Sequence, residues 1–124
     1  MFFLTYTDDE KKVLNNMEKH NGKHKLFAEG YRYNGQPVIM SEYGGIALDS
    51  EKGWGYGKQV ANEDEFIQRF ELLTKNIKKI PYISGYCYTQ LTDVQQEING
   101  LVDEHRNSKF SKKVEDKIKE INEF

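Results

Sequence analysis

Pro37-Val38-Ile39-Met40-Ser41-Glu42-Tyr43-Gly44-Gly45 is the stretch on which the fold turns. A short apolar run bounded by turn residues predicts a strand buried on both faces. Pro37 suits its first position, where no ladder hydrogen bond is lost. The glycine pair lets the backbone turn sharply at the far end. Glu42 breaks the pattern: it is a carboxylate at the C-terminal end of an apolar strand.

Downstream, Asn62-Glu63-Asp64-Glu65 reads as a helix start, with Asn62 as cap and Glu65 three residues on. Acidic residues in a first turn also suit the helix dipole. Phe66, Phe70, Leu73, Ile77 and Ile80 recur at helical spacing and form a core-facing stripe. Pro81 stops the helix. Tyr82 to Gln90 then has the β-branched and aromatic content of a second strand. Strand, helix and strand over residues 37–90 make a βαβ unit, which implies a parallel sheet. In such folds the chemistry sits at the C-terminal strand ends. Glu42 and the Tyr88–Asp93 region both lie there.

The flanks are simpler. Thr7-Asp8-Asp9-Glu10 is a capping-box pattern, and Val13, Leu14 and Met17 follow at helical spacing. That helix fades at Asn21-Gly22. Gly22 separates His20 from His24, so solvated positions are expected for both rather than a metal pair. Gly53-Trp54-Gly55-Tyr56-Gly57 is a loop of alternating glycine and aromatic residues. Leu91 to Leu101 reads as an ordered irregular loop. Val114, Ile118 and Ile121 mark a last amphipathic helix with Ser111 as its candidate cap. The expected organisation is one unit: residues 1–36 as N-terminal helix and lead-in, 37–90 as βαβ, and 91–124 as loop and helix.

Composition narrows the classes. The chain has 124 residues, 18 basic and 20 acidic side chains and a formal charge of −2. The charge balance gives no support for nucleic-acid binding. No apolar run approaches the ~20 residues of a membrane span. Met1 to Tyr6 lacks the basic and long apolar regions of a signal peptide, which favours the cytoplasm. One cysteine, Cys87, excludes an intrachain disulfide and a Cys-rich zinc site. Within its apolar and aromatic run it is expected to be a buried, inert thiol. With Gly counted and Tyr left out, the apolar share is about 39%, against roughly 45–50% in globular domains. Yet Leu, Ile, Val and Phe make up 30 of the 124 residues, enough to exclude compositional disorder.

Two segments carry a resemblance. Pro37 through Ala47 resembles the nucleophile segment of glycoside hydrolase family 2, which contains β-galactosidases, β-glucuronidases and β-mannosidases. Gly85-Tyr86-Cys87-Tyr88-Thr89-Gln90-Leu91-Thr92-Asp93, continuing to Leu101, resembles that family's last barrel strand and the loop after it. Both occur in the family's order and at about its spacing. The resemblance implies part of a (β/α)8 barrel, with residues 37–43 as strand seven and 82–90 as strand eight. It implies that strands one to six have no counterpart here.

The resemblance makes Glu42 the nucleophile of a retaining β-glycosidase. In that reaction one carboxylate attacks the anomeric carbon, and another protonates the leaving oxygen and later activates water. Tyr88 falls where many members carry a sugar-stacking Trp. Trp54 and Tyr56 are candidates for the aglycone side, and Asp93 either orders its loop or meets a sugar hydroxyl. No metal or other cofactor is implied. The partner is a β-linked carbohydrate, with neither nucleic acid nor membrane.

The family's acid/base is a Glu after an Asn at the end of strand four. Asn62-Glu63 and Asn122-Glu123 occur here, but neither follows an apolar strand. They are expected to be caps and solvated positions. A whole barrel takes about 250 residues, so the isolated chain is expected to be inactive. Its unpaired strands are expected to drive homo-oligomerisation through exposed sheet edges. Two other readings stand beside this one. One is a small non-catalytic α/β binding or interaction protein derived from such a barrel. The other is an enzyme using Glu42 with a metal near His105, although Glu42, Asp93 and His105 show no ligand spacing.

Overall fold

A computed structural model describes residues 2–5, 29–50 and 53–123. The helix expected over Thr7–Asn21, with His20 and His24, lies outside the described residues. Among the described residues three strands and two helices run in the order β1 (Phe2–Thr5), β2 (Val38–Gly44), α1 (Glu63–Lys78), β3 (Ile83–Thr89) and α2 (Lys112–Asn122). The strands form one sheet in the order β1-β2-β3, and both pairings are parallel. The architecture is α/β, a βαβ unit of a partial (β/α)8 barrel with, among the described residues, one helix after it.

The structure adds one strand to the sequence reading. Phe2–Thr5 pairs with β2 on the side away from β3, so β2 is flanked on both sides. The expected organisation, with residues 1–36 as N-terminal helix and lead-in, contains no such strand. Four residues are too few to show a clear period, although Phe2-Phe3-Leu4 is apolar and Thr5 is β-branched.

Helix α1 starts where its cap predicts. The Asn62 side chain accepts from Glu65 N at 2.9 Å, and Glu65 Oε2 accepts from Ala61 N at 2.9 Å. The first bond satisfies a backbone donor that the first turn otherwise leaves orphaned, and the second ties the residue before the cap to the helix. At the start of α2, Ser111 makes no side-chain cap bond; its backbone N donates to Glu63 Oε2 at 2.9 Å instead. That bond ties the starts of the two helices together.

One face of the sheet carries the core. Met40 and Tyr43 of β2 meet Phe66, Phe70, Leu73 and Ile77 of α1, with Phe110, Val114 and Ile121 closing the layer. The rings interlock: Phe66 lies 4.3 Å from Phe110 and 6.0 Å from Phe70, and Tyr88 lies 5.2 Å from Phe70. The Tyr43 hydroxyl shares a 2.8 Å hydrogen bond with Thr74 Oγ1, so the one polar atom of that ring is satisfied inside the core. Burial pushes the Tyr43 phenol above its ordinary range, and it stays neutral.

The opposite face is open, which corrects two expectations. Strand β2 is not buried on both faces: Val38 and Met40 are buried, but Ile39 between them is 43% exposed. Cys87 is exposed rather than buried. On β3 it lies between Tyr86 and Tyr88, both of which pack against the core, so strand alternation turns it outward. Gly85 pairs with Ile39, and a Cβ there would meet nothing within 4 Å. A closed barrel fills this face with side chains from its other strands. Among the described residues nothing covers Ile39 or Gly85 here.

Candidate active site

Glu42 owes its placement to a bulge. From Met40 to Tyr43 β2 takes three steps, while its partner β3 takes two, from Tyr86 to Tyr88. Against β1, Ile39 to Glu42 takes three steps while Phe2 to Leu4 takes two. Strand β2 therefore holds one extra residue between Met40 and Glu42. Strict alternation from Val38 and Met40 would put Glu42 on the core face and turn Tyr43 outward. The bulge reverses this, as bulges do where a strand re-aims a side chain. Tyr43 is fully buried and Glu42 is half-buried.

The backbone then turns through two glycines with positive φ, 92° at Gly44 and 63° at Gly45. A side chain at Gly44 would run into the Tyr88 ring, and one at Gly45 into Tyr56. Close packing as well as turning therefore requires glycine here. Gly45 N donates to Thr89 O at 2.9 Å, joining the ends of β2 and β3. Tyr56 N donates to Gly45 O at 2.8 Å, Trp54 N to Gln96 O at 2.7 Å and Ile98 N to Trp54 O at 2.9 Å. These bonds lace the Gly-aromatic loop and the loop after β3 onto the strand end that carries Glu42.

Trp54 stands in this laced layer, 48% exposed, with its ring edge-on to Tyr56 at 5.6 Å. An exposed indole held by backbone bonds on both sides is a fixed platform, able to stack on a sugar or an aryl group. Glu42 and Trp54 thus belong to the same end of the sheet.

Tyr88, the candidate sugar-stacking ring, is packed into the protein. Its ring packs among Tyr43, Phe66 and Phe70, on the helix side of the sheet. Its hydroxyl accepts from Ile46 N at 3.2 Å and donates to Ile46 O at 3.4 Å. Burial raises the phenol above its ordinary range, so it holds its proton. The ring supports the Gly44–Ile46 turn from below. Strand parity is the reason: Tyr88 pairs with Tyr43, whose ring is in the core.

Asp93 has the loop-ordering environment rather than an open one. It is 8% exposed; Oδ1 accepts from Gly100 N at 2.7 Å and from Lys109 Nζ at 2.9 Å, and Oδ2 accepts from Lys109 at 3.0 Å. Lys109 Nζ also donates to Ile98 O at 2.7 Å. One ammonium therefore clamps the loop after β3 at two points. Nothing in the spacing singled out Lys109, because its partner lies 16 residues away across an irregular loop.

The two glutamates that follow an asparagine lie away from the strand ends. Glu63 accepts from Ser111 N, which holds it below the usual carboxylate range. Glu123 follows the end of α2. His105 is exposed beside Glu104, at 3.7 Å. Among the described residues no three His, Cys, Asp or Glu side chains gather as a metal site.

No family model matches this chain, and no curated protein does. Among solved structures it is similar to a β-glucuronidase of Faecalibacterium prausnitzii, with a TM-score of 0.60 at 15% identity. The match covers 97% of this chain but 21% of that enzyme. At this identity the likeness is one of fold. The chain spans about one fifth of that enzyme's length.

Proposed function

We propose that this chain is the C-terminal portion of a retaining β-glycosidase of the β-galactosidase type, with Glu42 as its nucleophile. The observation that carries the reading is the bulge in β2. It takes a carboxylate off the core face at a C-terminal strand end, directly before the Gly44-Gly45 turn. The fold likeness to a β-glucuronidase supports it independently.

In this reading Glu42 attacks the anomeric carbon and forms a glycosyl-enzyme intermediate. Water then hydrolyses that intermediate with the help of a second carboxylate about 5–5.5 Å from the first. Trp54 receives the aglycone, and the Tyr88 and Asp93–Lys109 contacts hold the turn and loop that frame the site. The second carboxylate belongs to an earlier barrel strand, and general acid–base assistance is typically worth ~10²–10⁴ in rate. The chain alone is inactive for want of it. Fluorosugar trapping tests this reading: Glu42 takes the label only when the rest of a barrel is present.

The open sheet face favours a second reading, in which the chain acts as a non-catalytic interaction module. Ile39, Gly85 and Cys87 form an uncovered strip on that face. Copies of the chain associate through it and through the free edge of β3. Light scattering at micromolar concentration is expected to give a mass above 14.6 kDa. A monomer under those conditions contradicts self-association.

A further inference from the structure

We propose that the cleft between Lys58 and Arg69 binds a small oxyanion, a carboxylate or phosphate group. The cleft has a volume of about 310 Å³ and lies between the segment leading into α1 and the outer side of that helix. Arg69 is 9% exposed. Its Nη1 donates to Lys58 O at 2.6 Å, while its Nε has no partner. Among the described residues the guanidinium makes no ion pair.

A largely buried guanidinium with one protein acceptor among the described residues is under-compensated, because one neutral carbonyl returns less than the desolvation of its buried part costs. A guanidinium presents five donors in a planar fork suited to two oxygens at once. An oxyanion is the ligand class that supplies both the negative charge and the paired acceptors.

The rest of the cleft agrees with that class. Lys58 adds a second cation on an exposed rim, and the Gln68 amide adds a further donor. One carboxylate is present, that of Glu65, and its Oε2 is held by Ala61 N at the helix cap. The cationic side chains outnumber it by two to one. The cleft is separate from the strand end that carries Glu42, so its fate does not bear on the glycosidase reading.

The test is a titration of the isotope-labelled chain with inorganic phosphate and, separately, with acetate, followed by backbone amide shifts at low salt. Saturable shifts are expected around Lys58–Val60 and Gln68–Leu72 with a dissociation constant on the order of 1 mM. Arg69→Gln is expected to weaken binding about tenfold or more. Lys58→Gln, an exposed change that leaves the core intact, is expected to weaken it a few-fold. Tighter binding of phosphate assigns a phosphate ligand, and equal or tighter binding of acetate assigns a carboxylate. No saturable shift with either anion up to about 50 mM, or equal affinity in wild type and Lys58→Gln, overturns the proposal.

Discussion

Lys109→Met is expected to destabilise the chain by about 3–5 kcal/mol, read as a lower urea midpoint. The reason is the charge left behind. The Lys109 and Asp93 side chains are 16% and 8% exposed, and both carboxylate oxygens rely on the ammonium. Removing it leaves Asp93 with the Gly100 N–H and strands the carbonyl of Ile98. Replacing both partners, Asp93→Asn with Lys109→Met, removes the buried charge as well and is expected to recover much of the loss. A single substitution costing less than about 1 kcal/mol would put the pair among exposed ion pairs of small worth, against the clamp described here.

Gly44→Val is the second large effect, expected at about 2–5 kcal/mol. Left-handed backbone costs an ordinary residue roughly 1–2 kcal/mol, and overpacking adds roughly 1–3 kcal/mol. Both apply: φ is 92°, and the new side chain meets the Tyr88 ring. That ring cannot swing away, because Tyr43, Phe66 and Phe70 surround it and its hydroxyl is held by Ile46. The turn that follows Glu42 would open with it. Thermal melts of the two proteins check this, and an unchanged midpoint would show that the turn has slack.

Much of the frame was legible in the sequence, for identifiable reasons. Asn62 and Glu65 announced the start of α1, and the stripe from Phe66 to Ile80 announced its buried face. Pro81 and the glycine pair bounded the two longer strands. Such local signals survive because caps, periods and turns are decided within a few residues.

The misses share a different cause. Ile39 and Cys87 looked like buried residues because an apolar run cannot tell a sheet covered on both faces from one covered on a single face. What covers a face depends on strands that lie elsewhere. The motif position of Tyr88 says nothing of its packing, which follows from its pairing with Tyr43 and puts the ring against the core. That parity could have been counted from the βαβ register, but the bulge in β2 shifts the count by one. No spacing rule finds a bulge of one residue, and it is this bulge that takes Glu42 off the core face. Lys109 was invisible because long-range ion pairs across irregular loops leave no period.

The thin apolar share of the chain fits the architecture. Strands β2 and β3 keep one apolar face for the helices, and their other face bears Ile39, Gly85 and Cys87, with little to bury among the described residues. The surface that remains open is the one across which a second carboxylate would have to face Glu42.

The most direct test of that account is mass mapping after treatment with a fluorosugar that traps the glycosyl-enzyme intermediate. Two proteins are compared: this chain alone, and a β-glucuronidase barrel in which this chain replaces the fifth of the enzyme it matches. The account predicts no label on the chain alone, a label on the Glu42 peptide of the completed barrel, and none after Glu42→Gln. A completed barrel that hydrolyses a nitrophenyl β-glycoside while carrying its label on another residue, or keeping its activity after Glu42→Gln, would contradict it.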